Sequence, residues 1–191
     1  MLAGAQTGTG KTAGFTLPIL QRLAVSDRQS KAPRALVLTP TRELALQVAE
    51  SVREYGRYLS LRSSVIFGGV SINPQIDSLA RGTDIIIATP GRLLDHCQQR
   101  TVDLIHIEVL VLDEPTSALD VSIQKQVLEL LQDLQKNRGL SYVLITHDLA
   151  VVRAMAHQVM VLHQGRCVEQ GRLEEVLQHP KDAYTKALIE A

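Results

Sequence analysis

The stretch "VLVLDE", residues 109–114, decides how the rest of the sequence is interpreted. Its four apolar residues, half of them β-branched, predict a strand that is buried on both faces, as in parallel sheets covered by helices. Similar short runs occur at 35–39, 63–67, 84–88 and 142–146, and longer segments with helical periodicity separate them. We therefore predict a three-layer α/β domain, a mostly parallel sheet with helices on both faces.

Two helices and a hairpin are the clearest remaining elements. Segment 121–136 carries apolar residues at the spacing of one buried helical face, namely Ile123, Val127, Leu130, Leu131 and Leu134. Segment 42–59 does the same, except that Leu46 falls outside the stripe formed by Ala45, Val48, Ala49, Val52 and Tyr55. Residues 159–162 and 167–170 flank "HQGR" and predict a C-terminal antiparallel hairpin at one edge of the sheet, and "MLAGA" (1–5) is a candidate sixth strand.

Size, charge and cysteine content restrict the function classes. A chain of 191 residues predicts one domain, 1–191. Basic and acidic residues both number 20, so the basic excess typical of nucleic-acid-binding domains is absent. Cys97 and Cys167 lie far apart, and His96 adds too few ligands for a zinc site. Because no apolar run reaches the roughly 20 residues that span a bilayer, we expect a soluble, recombinant, cytoplasmic protein without a membrane partner. We expect a monomer, with a domain-swapped dimer as the alternative.

The segment "AQTGTGKT" (5–12) matches the phosphate-binding P-loop pattern, with Ala in the first place. Its glycines allow the backbone to curve so that N–H groups point at phosphate oxygens, and the next helix adds its positive end. We predict that Lys11 bridges the β- and γ-phosphates of ATP and that the Thr12 hydroxyl ligates Mg²⁺. The alternative, a chance glycine-rich turn, has a probability of about one per cent. The predicted nucleotide-binding residues are Thr7, Gly8, Thr9, Gly10, Lys11 and Thr12.

The two acids that end the 109–114 stretch are typical of a Walker B strand, whose carboxyl end faces the phosphates. We predict that Asp113 holds the Mg²⁺ and that Glu114 is catalytic, because it would orient or deprotonate the attacking water. The alternative is that these acids cap the next helix.

Residues 1–114 resemble the first RecA-like lobe of a DEAD-box RNA helicase, that is, a P-loop NTPase fold. The resemblance depends on "AQTGTGKT", "PTRELALQ" (40–47), "GG" (68–69) and "TPGRLLD" (89–95). It implies that the RNA backbone is bound by Arg42, Gly69, Thr89 and Arg92. Arginine side chains and helix-start amides suit phosphates, whereas helix capping and strand-end turns are the structural alternative.

From Asp113 onward the sequence resembles the end of an ABC-transporter ATPase of the oligopeptide-importer type. The resemblance depends on "LDEPTSALD" (112–120) and on segments 144–171 and 179–191. It implies that residues 117–120 form a D-loop and that His147 is a catalytic histidine at the γ-phosphate. The alternatives are a capping box at 117–120 and a helix start at 147–148. We interpret the chain as an engineered chimera of two P-loop fragments joined at their shared Asp-Glu motif.

Three functions compete on this interpretation. The first is a chimeric domain that binds ATP and Mg²⁺ with little or no turnover, and the second is a weak residual ATPase. The third is an RNA-binding helicase-like lobe, which we rank last because the net charge is zero and no second lobe is evident. We expect neither helicase nor transport activity.

Overall fold

The computed structural model describes residues 11–25, 31–114, 121–138 and 142–190. The helices in these ranges are α1 (Lys11–Val25), α2 (Arg42–Tyr55), α3 (Asn73–Ala80), α4 (Pro90–Gln98), α5 (Val121–Arg138), α6 (Leu149–Met155), α7 (Leu173–Gln178) and α8 (Ala183–Glu190). The strands are β1 (Ala35–Leu38), β2 (Ser63–Ile66), β3 (Ile85–Ala88), β4 (Val109–Asp113), β5 (Tyr142–Ile145), β6 (Gln158–His163) and β7 (Arg166–Arg172). The candidate strand at 1–5 lies outside the described residues.

The first five strands form one parallel sheet in the order β2-β3-β1-β4-β5. Each of them lies within one residue of its predicted boundaries, and every residue of β1 and β3 is fully buried. Burial on both faces explains why their sequences are continuous apolar runs rather than alternating ones. In a parallel sheet all carboxyl ends meet at one edge, so the segments that follow β1 to β5 lie together there.

Helices cover both faces of this sheet, which confirms the predicted three-layer α/β fold. On one face, Ile19 of α1 and Val48 of α2 belong to the same buried cluster as Val37 and Val111. On the other face, α4 and α5 contribute to a second cluster, which includes Leu93, Val127, Leu131, Leu36, Ile86 and Leu112. Every core residue named here is at most 3% exposed.

The packing is continuous across Glu114, where the sequence suggested a junction between two fragments. Val127 and Leu131 of α5 are fully buried in the cluster that contains Leu38 of β1. Strand β5 pairs in register with β4, with Leu144 opposite Leu112. Residues from both sides of the suggested junction therefore build one core. The side chain of Leu134, which was predicted to join this core, lies outside the described part of the chain.

Helix α2 ends four residues earlier than predicted. It stops at Tyr55 because Gly56 ends it, with its N–H bonded to the Val52 carbonyl at 2.9 Å. A Cβ on Gly56 would lie 2.7 Å from that carbonyl oxygen and 3.1 Å from a methyl carbon of Leu20, so the close approach of the Val52 carbonyl requires glycine. Tyr55 was predicted to be on the buried stripe, yet it is 42% exposed, because it lies at the end of the helix.

The C-terminal hairpin forms as predicted but stands apart from the main sheet. Strands β6 and β7 pair antiparallel through a turn at Gln164 and Gly165, both with positive φ, and in the described ranges they make a two-stranded sheet of their own. Val159 and Val161 pack on Val176 of α7 and on α6 in a separate small cluster, which draws the hairpin away from the edge of the larger sheet. None of the described helices combines the length and apolar composition needed to cross a bilayer.

The Glu169 carboxylate attaches the C-terminal helix to β7. It accepts hydrogen bonds from the Lys181 and Asp182 amides at 2.9 and 3.1 Å. Burial raises the pKa of Glu169, but these amides, the Thr185 hydroxyl and the Lys181 charge outweigh it, so the pKa lies below the ordinary 4.5. A depressed folded-state pKa stabilises the fold above the unfolded value and loses that contribution as the pH falls through the folded value.

We therefore expect the hydrogen bonds from the Lys181 and Asp182 amides to Glu169 to be lost as the pH falls below 4.5, which weakens the attachment of α8 to β7. The amide shifts of Lys181 and Asp182, followed by NMR from about pH 6 to about pH 3, should report this release. In Glu169→Gln the same amides should show no transition in that range. A transition of the same midpoint in the variant would show that another group controls the attachment.

Candidate functional site

A groove of about 580 Å³ opens at the carboxyl edge of the sheet. Residues from the segments after β1, β2 and β3 line it, and α5 closes its far side through Ile123 and Gln126. The lining includes Arg42, Gly68, Thr89 and Arg92. The structure therefore brings together at one groove most of the residues for which the sequence predicted RNA contact.

Arg42 begins α2 and is held over an aromatic ring. Thr41, just before it, is the N-cap and accepts a hydrogen bond from the Leu44 amide at 3.2 Å, so the capping alternative holds for that residue. The exposed Arg42 side chain places its guanidinium carbon 4.7 Å from the centre of the Phe67 ring. Such a cation–π contact orients the guanidinium while leaving its N–H groups for acceptors.

Gly68 and Gly69 form an exposed loop between β2 and α3. Gly69 has φ +78°, in the left-handed region that favours glycine, and a Cβ at either position would meet nothing within 4 Å. Backbone conformation rather than crowding is therefore what requires glycine at position 69. The open space leaves the loop backbone accessible to a ligand.

Arg92 connects α4 to the glycine loop. Its Nη2 donates to the Val70 carbonyl at 2.9 Å, and its Nε lies 3.3 Å from the Asp95 carboxylate. The side chain is only 10% exposed, and Nη1 is buried without a hydrogen-bond acceptor among the described residues. An unsatisfied buried donor costs about 1–3 kcal/mol, a cost that an acceptor bound in the groove would remove.

Thr89 precedes α4 in an extended conformation, and its side chain makes no capping hydrogen bond. Its amide is used within the fold, donating to the Ile66 carbonyl at 3.0 Å. The capping alternative therefore does not account for the Thr89 hydroxyl.

The nucleotide end of the candidate site is described only in part. Thr7, Gly8, Thr9 and Gly10 lie outside the described residues, as does the side chain of Lys11, whose backbone begins the described part of α1. Thr12 is half-buried in the first turn, and Asp113 ends β4 with a buried carboxylate. In the described ranges no group of three or more His, Cys, Asp or Glu side chains is arranged to hold a metal ion. A hydroxyl and a carboxylate are the hard oxygen donors that Mg²⁺ prefers, and Mg²⁺ commonly fills its remaining positions with water and phosphate oxygens.

Glu114 and His147 lie side by side where β4 and β5 end. Glu114 Oε1 is 3.4 Å from His147 Nδ1, and the Glu114 amide donates to the Ile145 carbonyl at 2.7 Å. The backbone of Glu114 has φ +46°, a left-handed conformation that costs a non-glycine residue free energy and is common at functional sites. The structure therefore brings together the two predicted catalytic side chains.

The segment after β5 also begins α6, as the alternative interpretation of residues 147–148 expected. Asp148 is the N-cap, and its carboxylate accepts from the amides of Ala150 and Val151 at 2.8 and 3.3 Å. His147 does not cap the helix and is 70% exposed. Residues 117–120, predicted as a D-loop or a capping box, lie outside the described residues.

The sequence analysis missed Phe67, whose ring contacts Arg42, and Gln75, whose side chain donates to the Phe67 and Ser71 carbonyls. Gln75 is a buried polar residue on the face of α3 that it shares with Ile72 and Leu79. A polar residue within an apolar helical stripe was the available signal. Nothing local in the sequence indicated that Phe67 would reach Arg42, because the two lie on separate strand-to-helix segments.

Comparisons with known proteins agree with this architecture. The sequence model of the family described as "DEAD/DEAH box helicase" matches residues 1–147. The chain is 42% identical over 196 residues to the ATP-dependent RNA helicase RhlB of Xanthomonas axonopodis pv. citri, covering 97% of this chain and 34% of that protein. It is 47% identical over 130 residues to the ATP-dependent RNA helicase DeaD of Mycobacterium tuberculosis, covering 68% of this chain and 23% of that protein. The crystal structure of the yeast DEAD-box splicing factor Prp28 superposes with a TM-score of 0.71 at 29% identity, covering 81% of this chain and 38% of that one.

These matches correct the interpretation of the chain as an engineered chimera. The family match continues past Glu114 to residue 147, and the match to RhlB covers 97% of the chain. None of the comparisons supports an ABC-transporter segment. Asp113, Glu114 and His147 occur where P-loop folds face phosphate, so these three residues are weak evidence of separate origin. The chain spans about a quarter to a third of the length of these relatives, 23% and 34%.

Proposed function

The chain belongs to the DEAD/DEAH box helicase family, and on this premise we propose that it is an ATP-binding and RNA-binding lobe of an ATP-dependent RNA helicase. The relatives it matches are named ATP-dependent RNA helicases. Our first-ranked expectation from the sequence, an engineered nucleotide binder with little or no turnover, was therefore wrong. We further propose that residues 1–191 act as a single domain, because neighbouring residues Val151 and Val152 of α6 pack in the main core and in the C-terminal cluster respectively.

The observation that carries the proposal is the groove at the carboxyl edge of the sheet. Two arginines reach it from different elements, Arg42 exposed on the Phe67 ring and Arg92 with a buried nitrogen that lacks an acceptor among the described residues. The accessible glycine loop lies beside them. Zero net charge led us to rank RNA binding last, but affinity for a phosphate backbone depends on where the charges lie. A local pair of arginines is compatible with an overall neutral chain.

The second proposed binding site lies where β4, the neighbour of β1 in the sheet, ends. Residues Thr7 to Thr12 would hold the phosphates of ATP, with Thr12 and Asp113 supplying oxygen ligands to Mg²⁺. The ion would neutralise charge that develops on the phosphates. Glu114 would orient the attacking water and accept its proton, and His147, 3.4 Å from that carboxylate, would keep it oriented and face the γ-phosphate.

The two proposed sites are adjacent because β1 and β4 are neighbours in the sheet. Arg42 follows β1, and Asp113 ends β4, and these strands pair in register from Ala35 opposite Val109 to Leu38 opposite Leu112. Directly paired strands therefore connect the proposed nucleotide site to the proposed RNA groove.

We expect Arg42→Ala combined with Arg92→Ala to lower the affinity for single-stranded RNA by about tenfold or more per arginine, since a charge-assisted hydrogen bond contributes about 1.5–3 kcal/mol. The loss should be similar for different RNA sequences, and the salt dependence of binding should weaken by roughly 0.7 per lost phosphate contact. Fluorescence anisotropy with a labelled single-stranded RNA at several salt concentrations measures both.

The control removes two arginines that lie away from the groove. Arg57, whose guanidinium lies 4.7 Å from the Tyr58 ring centre, and the exposed Arg153 give a double variant with the same change in charge. This control should keep most of the affinity. An equal loss in the two double variants would mean that RNA responds to total charge, and the proposed groove would be wrong.

A further inference from the structure

A single buried side-chain amide, that of Gln75, bonds to both ends of the loop that carries Gly68 and Gly69. Gln75, in α3, is 8% exposed, and its Nε2 donates to the Phe67 carbonyl at 3.1 Å and to the Ser71 carbonyl at 3.5 Å. These carbonyls are the two ends of the loop Phe67–Ser71. One side chain therefore fixes both ends of the loop. The two glycines have no side chains and could not hold the loop in this way.

The same amide connects the loop to α4 through His96. With both N–H groups of Gln75 directed at carbonyls, its Oε1 faces His96 Nε2 at 3.5 Å. His96 Nδ1 lies 2.7 Å from the Thr101 hydroxyl, which also lies 3.2 Å from the His96 carbonyl. Gln75 Oε1 can only accept a hydrogen bond, so its contact with the ring is favourable when His96 Nε2 carries a proton. Burial, then the Arg92 charge, lower the pKa of His96 below the ordinary 6.5, against the opposing effect of Asp95, so the neutral ring is favoured.

The loop in turn holds both arginines of the groove. The ring of Phe67 lies under the Arg42 guanidinium, with 4.7 Å between the guanidinium carbon and the ring centre, and the Val70 carbonyl accepts from Arg92 Nη2 at 2.9 Å. Phe67 and Val70 belong to the segment whose ends Gln75 fastens. A shift of this segment would move the partners of both arginines together.

We infer that Gln75 is a positioning residue for RNA binding, which acts by holding the loop Phe67–Ser71 so that Arg42 and Arg92 face the groove together. This inference rests on the proposed function of that groove. Gln75 is buried under the loop and does not line the groove, so it acts through its neighbours rather than by touching RNA.

The first test compares Gln75→Met with Leu79→Ala. Methionine fills a similar volume but donates no hydrogen bond, so RNA affinity should fall roughly tenfold as the loop loses its two donors, while Mg-ATP affinity stays unchanged. Leu79→Ala loosens the same helix from the core, which Leu79 partly contacts. It should lower the melting temperature without a comparable loss of RNA affinity. RNA affinity within twofold of the unmodified chain in Gln75→Met would overturn the inference.

The second test asks whether Gln75 acts through the arginines. Combined with Arg42→Ala and Arg92→Ala, Gln75→Met should cause little further loss of RNA affinity, because the groups that it positions are gone. Fully additive losses would show that Gln75 supports the fold in general, and would overturn the inference.

Gln75→Glu provides a version of the test that does not depend on removing the polar group. A carboxylate cannot donate to the Phe67 and Ser71 carbonyls, so RNA affinity should fall at neutral pH and recover in part once the carboxyl is protonated and can donate one bond. The titratable His96 ring faces this position, and the charges of Arg92 and Asp95 act on that ring, so the unmodified chain is measured over the same pH range. The absence of any recovery relative to that chain would contradict the inference.

The outcomes separate the inference from the function on which it rests. RNA binding that depends on Arg42 and Arg92 but survives Gln75→Met would remove only the positioning role. No RNA binding by the unmodified chain, or binding indifferent to both arginines, would remove the groove and the inference together.

Discussion

Replacing Glu114 by Gln is expected to slow phosphate release from Mg-ATP by about 10²–10⁴-fold, the usual contribution of a positioned general base. The structure holds this side chain in place in two ways. The backbone amide of Glu114 donates to the Ile145 carbonyl at 2.7 Å, and the Glu114 carboxylate lies 3.4 Å from His147 Nδ1. Glutamine keeps the shape and an acceptor oxygen but cannot take a proton from water, so chemistry should be lost while binding is kept.

The matched control for this experiment lies at the opposite end of the same strand. Glu108 precedes β4, and its exposed side chain lies 3.9 Å from Arg22, so Glu108→Gln should release phosphate at the unmodified rate. Phosphate release is measured with and without single-stranded RNA, and isothermal titration checks that both variants bind Mg-ATP. Equal rates for Glu114→Gln and Glu108→Gln would exclude Glu114 as the base.

Replacing Asp84 by Asn is expected to lower the free energy of unfolding by about 3–5 kcal/mol, the usual cost of removing one partner from a buried ion pair. Asp84 is 1% exposed and Arg34 7%, and Asp84 Oδ1 lies 3.8 Å from Arg34 Nη2. Asp84 Oδ2 accepts from the Arg62 amide at 2.9 Å, and Arg34 Nη2 donates to the Leu23 carbonyl at 3.0 Å. The pair therefore joins α1, β1, β3 and the segment before β2 at the amino edge of the sheet.

Urea unfolding followed by circular dichroism measures this loss against a total stability of about 5–15 kcal/mol for a typical domain. Asp103→Asn is the matched control, because Asp103 is exposed and its Oδ1 accepts from the Ile105 amide at 2.8 Å, an acceptor that asparagine retains. The control should unfold at nearly the unmodified urea concentration. A loss below about 1 kcal/mol in Asp84→Asn would mean that the pair contributes little beyond its packing.

The five predicted strands at 35–39, 63–67, 84–88, 109–113 and 142–146 and the main helix of the core were confirmed because their signals are local. Continuous apolar runs such as 85–88 can be buried only between two layers, and the period of Val127 and Leu131 commits α5 to one face. The predictions that were corrected concern relations between elements. The hairpin was assigned to the main sheet, although Val159 and Val161 pack with Val176 instead. Tyr55 was assigned to a buried stripe, although α2 ends there at Gly56.

By itself the sequence determined the α/β class, the strand positions and the motifs that identify the family, because apolar runs, helical periods and glycine-rich loops act over a few neighbouring residues. Only the tertiary structure decided that Phe67 lies under Arg42, that Glu114 meets His147, and that Gln75 reaches His96 from 21 residues away. Such contacts depend on how the strands order themselves in the sheet. Strand order is set by the packing of the whole core, so no segment of the chain encodes it alone.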